Sequence, residues 1–169
     1  VARLPPHLRP LGLLVEEPTG GYLPCELGPW VAALRAAMDQ HGWHDARLLI
    51  HMHHNFGLAE AAVLECLACG CDGVWAAACN DGAAMGHAGY LTTLVNLARL
   101  GNRHVAAMYD LPALLDAARR ITRIATGAEP AAQEEVYGPR MPQGELGEIM
   151  THARSLAMEH QQCSAGLAS

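Results

Sequence analysis

Three histidines follow an apolar run in the stretch LLIHMHHNFGLAEA at residues 48–61. His51 and His53 are two residues apart, and alternate side chains of a β-strand point to the same face of the sheet. Two strand residues span about 6–7 Å, so both imidazoles could reach one ion. The H-x-H spacing therefore indicates a divalent-metal pair, and two hydrogen-bonded histidines that hold no ion are the alternative.

Four neighbouring residues could take part in chemistry with this pair. His54 points to the opposite face if the strand continues, so a structural role is its alternative. Asn55 is typical of a turn or cap before a helix. His87 lies in the loop after the next predicted strand, where it could complete a metal shell, and imidazole is a good metal ligand. Cys79 ends that strand and could line the same site, or could be a small buried residue.

Hydrophobic periodicity places these residues on a chain of alternating strands and helices. Strands are predicted at residues 11–17, 46–53 and 72–79, with a weaker one at 103–109. Helices are predicted at residues 25–39, 58–69, 90–100, 111–126 and 145–160. The alternation and the continuous apolar strands are typical of a parallel sheet with crossover helices, so the fold class is α/β. The H-x-H pair then lies at the carboxyl end of a strand, where such sheets bind ligands.

The composition excludes several classes of partner. A net charge of -6 and the lack of a basic stripe disfavour nucleic acid, whose phosphates attract cationic surfaces. No apolar run reaches the length of about 18 residues that a membrane span needs. Six cysteines without a signal peptide predict reduced thiols and a cytoplasmic protein. Cys66, Cys69 and Cys71 form a C-x2-C-x-C cluster without a nearby fourth ligand, so we interpret them as small residues at a helix end rather than a zinc site.

The stretch H-x-H-x-N-F-G-L-A, which begins at His51, resembles the H-x-H-N-D-x-G-L-A signature of the pyruvate carboxyltransferase-like superfamily. This superfamily includes hydroxymethylglutaryl-CoA lyase, isopropylmalate and homocitrate synthases, and hydroxy-oxovalerate aldolase. Three further stretches resemble it in the same order, namely PTGGYLPCEL from Pro18, LECLACGCDGVWAAACNDGAAMGHAG from Leu64 and LPALLDAARRITRIATGAEPAAQEEVYGPR from Leu111. The resemblance covers about residues 11–140.

The resemblance implies a (β/α)8 TIM barrel. Residues 1–126 would supply its last three or four strands with their helices, and residues 127–169 a linker and a C-terminal helical segment. Because such a barrel takes about 250 residues, we expect this chain to be the C-terminal part of a longer enzyme. Val1 in place of methionine suggests the same. A homo-oligomer or a partner chain that completes the sheet is the alternative.

The resemblance also implies a set of site residues. His51 and His53 would hold a divalent cation (Mn, Mg, Zn or Co), and His87 falls where the family has a loop asparagine. Thr19 falls where the family contacts the substrate carboxylate, and Asn55, within the signature, is assigned to substrate binding as well. His54 is a candidate base that moves a proton, and Cys79 is a candidate for the catalytic site.

The implied function is that of a metal-dependent carbon–carbon lyase, aldolase or acyltransferase-type synthase. Its substrate would be a small 2-keto acid or an acyl-CoA, and the metal would stabilise an enolate. The chain departs from the family at Pro18, where the family has aspartate, and in the loop 82–87, which lacks the glutamate and arginine of the synthases. A degenerate, non-catalytic module that binds a small acid or a partner is therefore the alternative. A structural zinc site is a third interpretation.

Overall fold

The structure is a computed structural model that describes residues 3–140, except for the side chain of residue 106. The chain divides into two units, residues 1–90 and residues 91–169. In the described part, the first unit contains a sheet with two helices and the second is helical. The predicted α/β class is confirmed, and so is the parallel sheet.

The sheet of the first unit has three parallel strands in the order β1-β2-β3. A short 3-10 helix, Pro6–Leu8, precedes them. The strands are β1 (Gly12–Glu17), β2 (Arg47–Met52) and β3 (Gly73–Val74). Strand β2 is central and pairs with β1 along its full length, so that Glu16 lies opposite His51.

Strand β3 is much shorter than the predicted strand at residues 72–79, and that prediction is wrong in length. Trp75 still donates its N–H to Ile50 O at 2.9 Å, but Ala77 pairs with Gly89 instead of β2. The Ala77 N–H donates to Ala88 O at 2.9 Å. The returning loop therefore takes the hydrogen bonds that a longer β3 would have made.

Helices α1 (Pro24–Gln40) and α2 (Ala59–Ala68) follow β1 and β2, close to their predicted positions. The Glu26 carboxylate accepts the Leu23 N–H at 2.8 Å and thereby helps to begin α1. Apolar side chains of both helices pack with one face of β2 to form the core. Its largest fully buried side chains are Val31, Leu48, Ile50, Met52, Val63 and Cys66.

Three further helices are described, namely α3 (Tyr90–Arg99), α4 (Arg103–Met108) and α5 (Leu111–Thr126). The weaker strand predicted at residues 103–109 is wrong, because this segment is helix α4. The Asn102 side chain accepts the His104 N–H at 3.0 Å and caps the helix. The helix predicted at residues 111–126 is present as α5. Gly127 follows its last residue and caps it with a left-handed φ of 72°.

Residues 127–140, which were predicted as a linker, contain turns and no helix or strand. Tyr137 is nevertheless buried, and its carbonyl accepts a hydrogen bond from Arg119 Nε at 3.0 Å. The helix predicted at residues 145–160 lies outside the described residues. Within residues 3–140, no helix is both long and apolar enough to cross a membrane.

Candidate metal centre

Three imidazoles converge at the carboxyl end of strand β2. His51, His53 and His87 each offer a ring nitrogen, and these atoms all lie within 4.8 Å of one another. The ring centroids of His51 and His53 are 5.2 Å apart. The ring centroid of His87 lies 4.3 Å from that of His51 and 4.6 Å from that of His53. In the part of the chain that the structure describes, this is the one cluster of three or more such side chains that could hold a metal.

Strand β2 aims two of these side chains in the same direction. Leu48, Ile50 and Met52 are buried in the core with the helices, so the alternation of a strand sends His51 and His53 to the opposite face. Both histidines are themselves buried, at 7% and 9% exposure. The H-x-H geometry expected from the sequence is therefore present.

His87 joins the pair through an antiparallel bridge with His53. The Ala88 N–H donates to Met52 O at 3.0 Å, and the His54 N–H donates to Gly86 O at 2.8 Å. These two bonds flank the bridge, so His53 and His87 form a non-hydrogen-bonded pair. Such pairs have the shorter Cα separation, about 4.5 Å, and bring their side chains closest.

Gly82 makes room for the ring of His87. A Cβ atom at this position would collide with the imidazole, and the φ of Gly82 is +142°, which L side chains rarely adopt. The third ligand therefore depends on a glycine in its own loop.

The hydrogen bonds of His51 and His53 determine which nitrogen remains for a metal. His51 Nδ1 lies 2.8 Å from the carbonyl oxygen of Trp75, which can only accept, so Nδ1 carries the proton and Nε2 the lone pair. His53 Nε2 lies 2.9 Å from Glu16 Oε1, so its Nδ1 carries the lone pair. Metal-binding histidines typically donate their second N–H to a carbonyl or carboxylate in this way.

His53 Nδ1 is a buried nitrogen for which the described residues offer no hydrogen-bond partner. Leaving such a group without a partner costs about 1–3 kcal/mol. An ion bound through Nδ1 would satisfy it, and three imidazoles whose ring nitrogens lie within 4.8 Å of one another fit a divalent metal.

The charge environment also suits a metal. Burial lowers the pKa of His87, and the neighbouring His51 and His53 lower it further, against a partial opposing effect of Glu16. A lowered pKa keeps the imidazole neutral, which is the form that binds metals.

The four other predicted site residues lie outside the cluster. Thr19 is exposed, and its hydroxyl donates to the buried Glu17 carboxylate. Asn55 Nδ2 donates to Pro18 O at 2.9 Å, which ties the end of β2 to the end of β1. His54 is half-buried and faces Glu60, and Cys79 is buried in the loop after β3. Their substrate-binding and catalytic roles stay predictions.

The cysteine cluster has the structural character expected of it. Cys66 and Cys71 are buried and Cys69 is half-buried, at the end of helix α2. A hydrogen bond with Cys71 raises the pKa of the Cys66 thiol, and burial raises it further. Cys66 therefore remains a neutral core thiol.

Two acidic residues at the site were not predicted as site residues. Glu16 binds His53, and Glu60 lies between His54 and the loop of His87. From the sequence, Glu16 can be placed on the same face of the strand as Leu14. Its contact with His53 follows only from the register in which β1 pairs with β2. Glu60 lies in the first turn of a helix, where a glutamate is typically exposed.

The sequence matches no protein-family model, and it matches no curated protein. The function must therefore be inferred from the geometry of the site.

Proposed function

We propose that this chain is part of a metal-dependent carbon–carbon lyase, aldolase or Claisen-type synthase related to the pyruvate carboxyltransferase-like superfamily. Its substrate would be a small 2-keto acid or an acyl-CoA. The observation that carries the proposal is the convergence of three imidazoles, with lone pairs left for a metal, at the carboxyl end of a parallel strand. That end is where α/β sheets and barrels bind their ligands.

The arrangement of the sheet supports a partial (β/α)8 barrel. Strands β1 and β2 are parallel neighbours, and the helices that follow them pack on the face of Leu48, Ile50 and Met52. His51 and His53 project from the other face. In a barrel, residues of a strand alternate between the helix layer and the interior, so these histidines would point inwards at the catalytic end.

A three-histidine site suits catalysis, because three protein ligands leave positions for water or substrate. A bound divalent ion would polarise the substrate carbonyl as a Lewis acid. The 169 residues contain no lysine. A Schiff-base mechanism would therefore need a lysine from outside these residues.

A narrow cleft beside His53 encloses about 10 Å³, which is room for one water molecule. Glu17 lies in its wall, and the exposed side chains of Tyr22, Phe56 and Leu58 contribute to its lining. Thr19 and Asn55 lie near this cleft, at the same ends of β1 and β2, where they are proposed to orient the substrate.

Metal content tests the site itself. The purified chain should hold about one divalent ion when loaded with Zn²⁺, Mn²⁺ or Co²⁺, measured by mass spectrometry after removal of free metal. The double variant His51→Ala/His53→Ala should lose it. The variant His7→Ala/His41→Ala is the matched control, because both of its histidines are exposed, and it should keep the ion. Equal metal content in the two double variants would contradict the proposed site.

Proton exchange tests the chemistry. Loaded protein in deuterated water should exchange the protons next to the carbonyl of a 2-keto acid, followed by NMR against the His51→Ala/His53→Ala variant. A metal-loaded chain that exchanges none of these protons, even together with upstream barrel strands, would favour the non-catalytic binding module. Closed coordination by four protein ligands would favour a structural zinc site.

A further inference from the structure

We infer that Glu60 is a positioning residue that holds the loop of His87 in register with His53, and thereby sets the third metal ligand. The inference rests on the proposed metal function and extends it to a residue outside the ligand set. It concerns how the site is assembled rather than which atoms bind the ion.

One carboxylate contacts both segments that carry the ligands. Glu60 is buried, at 8% exposure, in the first turn of helix α2. Its Oε1 accepts the Gly89 N–H at 2.8 Å, and its Oε2 lies 3.1 Å from His54 Nδ1. Gly89 follows His87 by two residues, and His54 follows His53 directly. Glu60 therefore connects the two chain segments that must meet for the ligands to converge.

The loop is held on both sides of His87. On the amino side, the Gly86 carbonyl accepts the His54 N–H at 2.8 Å. On the carboxyl side, Glu60 holds Gly89. His54 takes part on the amino side through its backbone, and its ring atom Nδ1 lies close to Glu60 without a hydrogen bond to it.

The loop needs such ties because its own conformation is unfavourable. Ala84 has a positive φ of 57°, in a region that costs most residues with a Cβ about 1 kcal/mol or more. Gly82 and Gly86 also have positive φ. A segment of this kind keeps one conformation only when its surroundings hold it.

A carboxylate at this position is itself costly unless it serves as a bridge. Burying a charged group is unfavourable without hydrogen bonds or a charge partner. The neighbours of Glu60 on helix α2 that face the core are alanine, valine and cysteine, and an apolar residue would fit their pattern. The two contacts of Glu60 go instead to the ligand-bearing segments, which fits a positioning function.

The experiment measures Zn²⁺ affinity by chelator competition and the visible absorption of Co²⁺, which reports its coordination. Glu60→Ala should weaken Zn²⁺ binding about 10–100-fold, the usual effect of losing a residue that orients a ligand. Glu60→Gln should weaken it less, because its amide oxygen can still accept the Gly89 N–H. Glu65→Ala removes a carboxylate from the same helix and should leave the affinity unchanged.

A double-variant comparison separates positioning from general damage. If Glu60 acts through His87, then Glu60→Ala should add no further loss of Zn²⁺ affinity to His87→Ala. Additive losses, or wild-type affinity in Glu60→Ala, would overturn the inference. If Glu60→Ala does not fold, as judged by circular dichroism, the same comparison with Glu60→Gln decides.

Hydrogen exchange in the metal-free chain distinguishes this inference from the proposed function. The amides of Ala88 and Gly89 should exchange faster in the Glu60 variants than in the wild type, and at the wild-type rate in Glu65→Ala. A wild type that binds no metal would refute the proposed function, while faster exchange would still support the tie. Unchanged exchange in the Glu60 variants would overturn the inference whether or not metal binds.

Discussion

The two ends of strand β2 carry similar numbers of polar groups and use them differently. At the amino end, the Asp72 carboxylate accepts the Leu48 N–H at 2.7 Å and pairs with the guanidinium groups of Arg35 and Arg47. At the carboxyl end, His51 and His53 each have one hydrogen-bonded nitrogen, and His53 Nδ1 is buried without a partner among the described residues.

Arg35 shows how completely the amino end is satisfied. Besides Asp72, it donates to the carbonyl oxygens of Ala46 at 2.9 Å and Gly70 at 3.1 Å. A polar network whose members bind one another joins elements of the fold. Polar side chains that converge with unused lone pairs are instead available for a ligand. The comparison predicts that changes at one end alter stability, and that changes at the other alter metal binding.

The largest expected effect is the loss of a ligand. His87→Ala should weaken Zn²⁺ binding by more than about 100-fold, beyond the effect of losing an orienting residue. Asp72→Asn, at the other end of the sheet, should leave the affinity within about twofold, because sites with no shared partners behave independently. Chelator competition measures both. A similar loss of affinity in the two variants would mean that the ends are coupled through β2, and the comparison would fail.

Stabilisation by metal is the next largest effect. Zn²⁺ at about 100 times its dissociation constant should raise the free energy of unfolding by about 2.7 kcal/mol, since only the folded chain assembles the site. Denaturant unfolding with and without Zn²⁺ measures the increment. Asp72→Asn should keep the full increment and His51→Ala/His53→Ala should show none. An increment that persists in the histidine variant would place the bound metal elsewhere.

Removing the charge at the amino end should destabilise the fold directly. Asp72→Asn should lower the free energy of unfolding by about 1.5–3 kcal/mol, the typical range for hydrogen bonds to a charged group. Denaturant unfolding of the metal-free chain measures it. Asp39→Asn is the control, because Asp39 is exposed and its carboxylate lies 3.2 Å from Nδ1 of the exposed His44.

The effect of Asp72 should depend on pH in a defined direction. Burial alone would raise its pKa, but the Leu48 N–H and the two arginines together lower it from its ordinary value of 3.8. A carboxylate with a lowered folded-state pKa stabilises the fold fully above its unfolded value and loses that contribution as pH falls through the folded value. The difference between the wild type and Asp72→Asn should therefore be constant near neutral pH and shrink below about pH 4. A difference that grows towards acid would contradict this assignment.

Much of the fold was predictable because its signals are local. Strands β1 and β2 and helices α1 and α2 follow from apolar periodicity and from breakers such as Gly70. The structure of residues 103–109 was not predictable, because a short apolar run suits a strand and a helix alike. The structure forms helix α4 there, with a cap at Asn102. The length of β3 also depended on a distant partner, the returning loop that pairs with Ala77.

The same distinction applies to the site. His51 and His53 could be paired from strand alternation alone, and His87 could be placed near them because parallel strands end at one edge. The antiparallel bridge that brings His87 opposite His53 has no local signal. The partners of Glu16 and Glu60 lie on other elements, so their roles depend on tertiary packing that a single stretch of sequence does not contain.

The smallest expected effect concerns the orientation of His53. Glu16 is half-exposed, at 54% for its side chain, and its carboxylate holds His53 Nε2 at 2.9 Å, which leaves Nδ1 for the metal. Glu16→Ala should weaken Zn²⁺ binding about tenfold, at the lower end of the range for orienting residues, because β2 still directs the ring. Glu26→Ala removes an exposed carboxylate from the same unit, at the start of α1, and should leave the Zn²⁺ affinity unchanged.

The outcome for Glu16→Ala also decides which nitrogen of His53 binds. If the carboxylate orients the ring, its loss weakens binding and alters the Co²⁺ spectrum. If the ion instead binds Nε2, Glu16 competes with it for that nitrogen, and Glu16→Ala would tighten binding. Tighter binding would contradict the assignment of Nδ1. The carboxyl end of β2 would then resemble its amino end more closely, because the Glu16 carboxylate would only form a hydrogen bond with His53 and would not orient its ring for a metal.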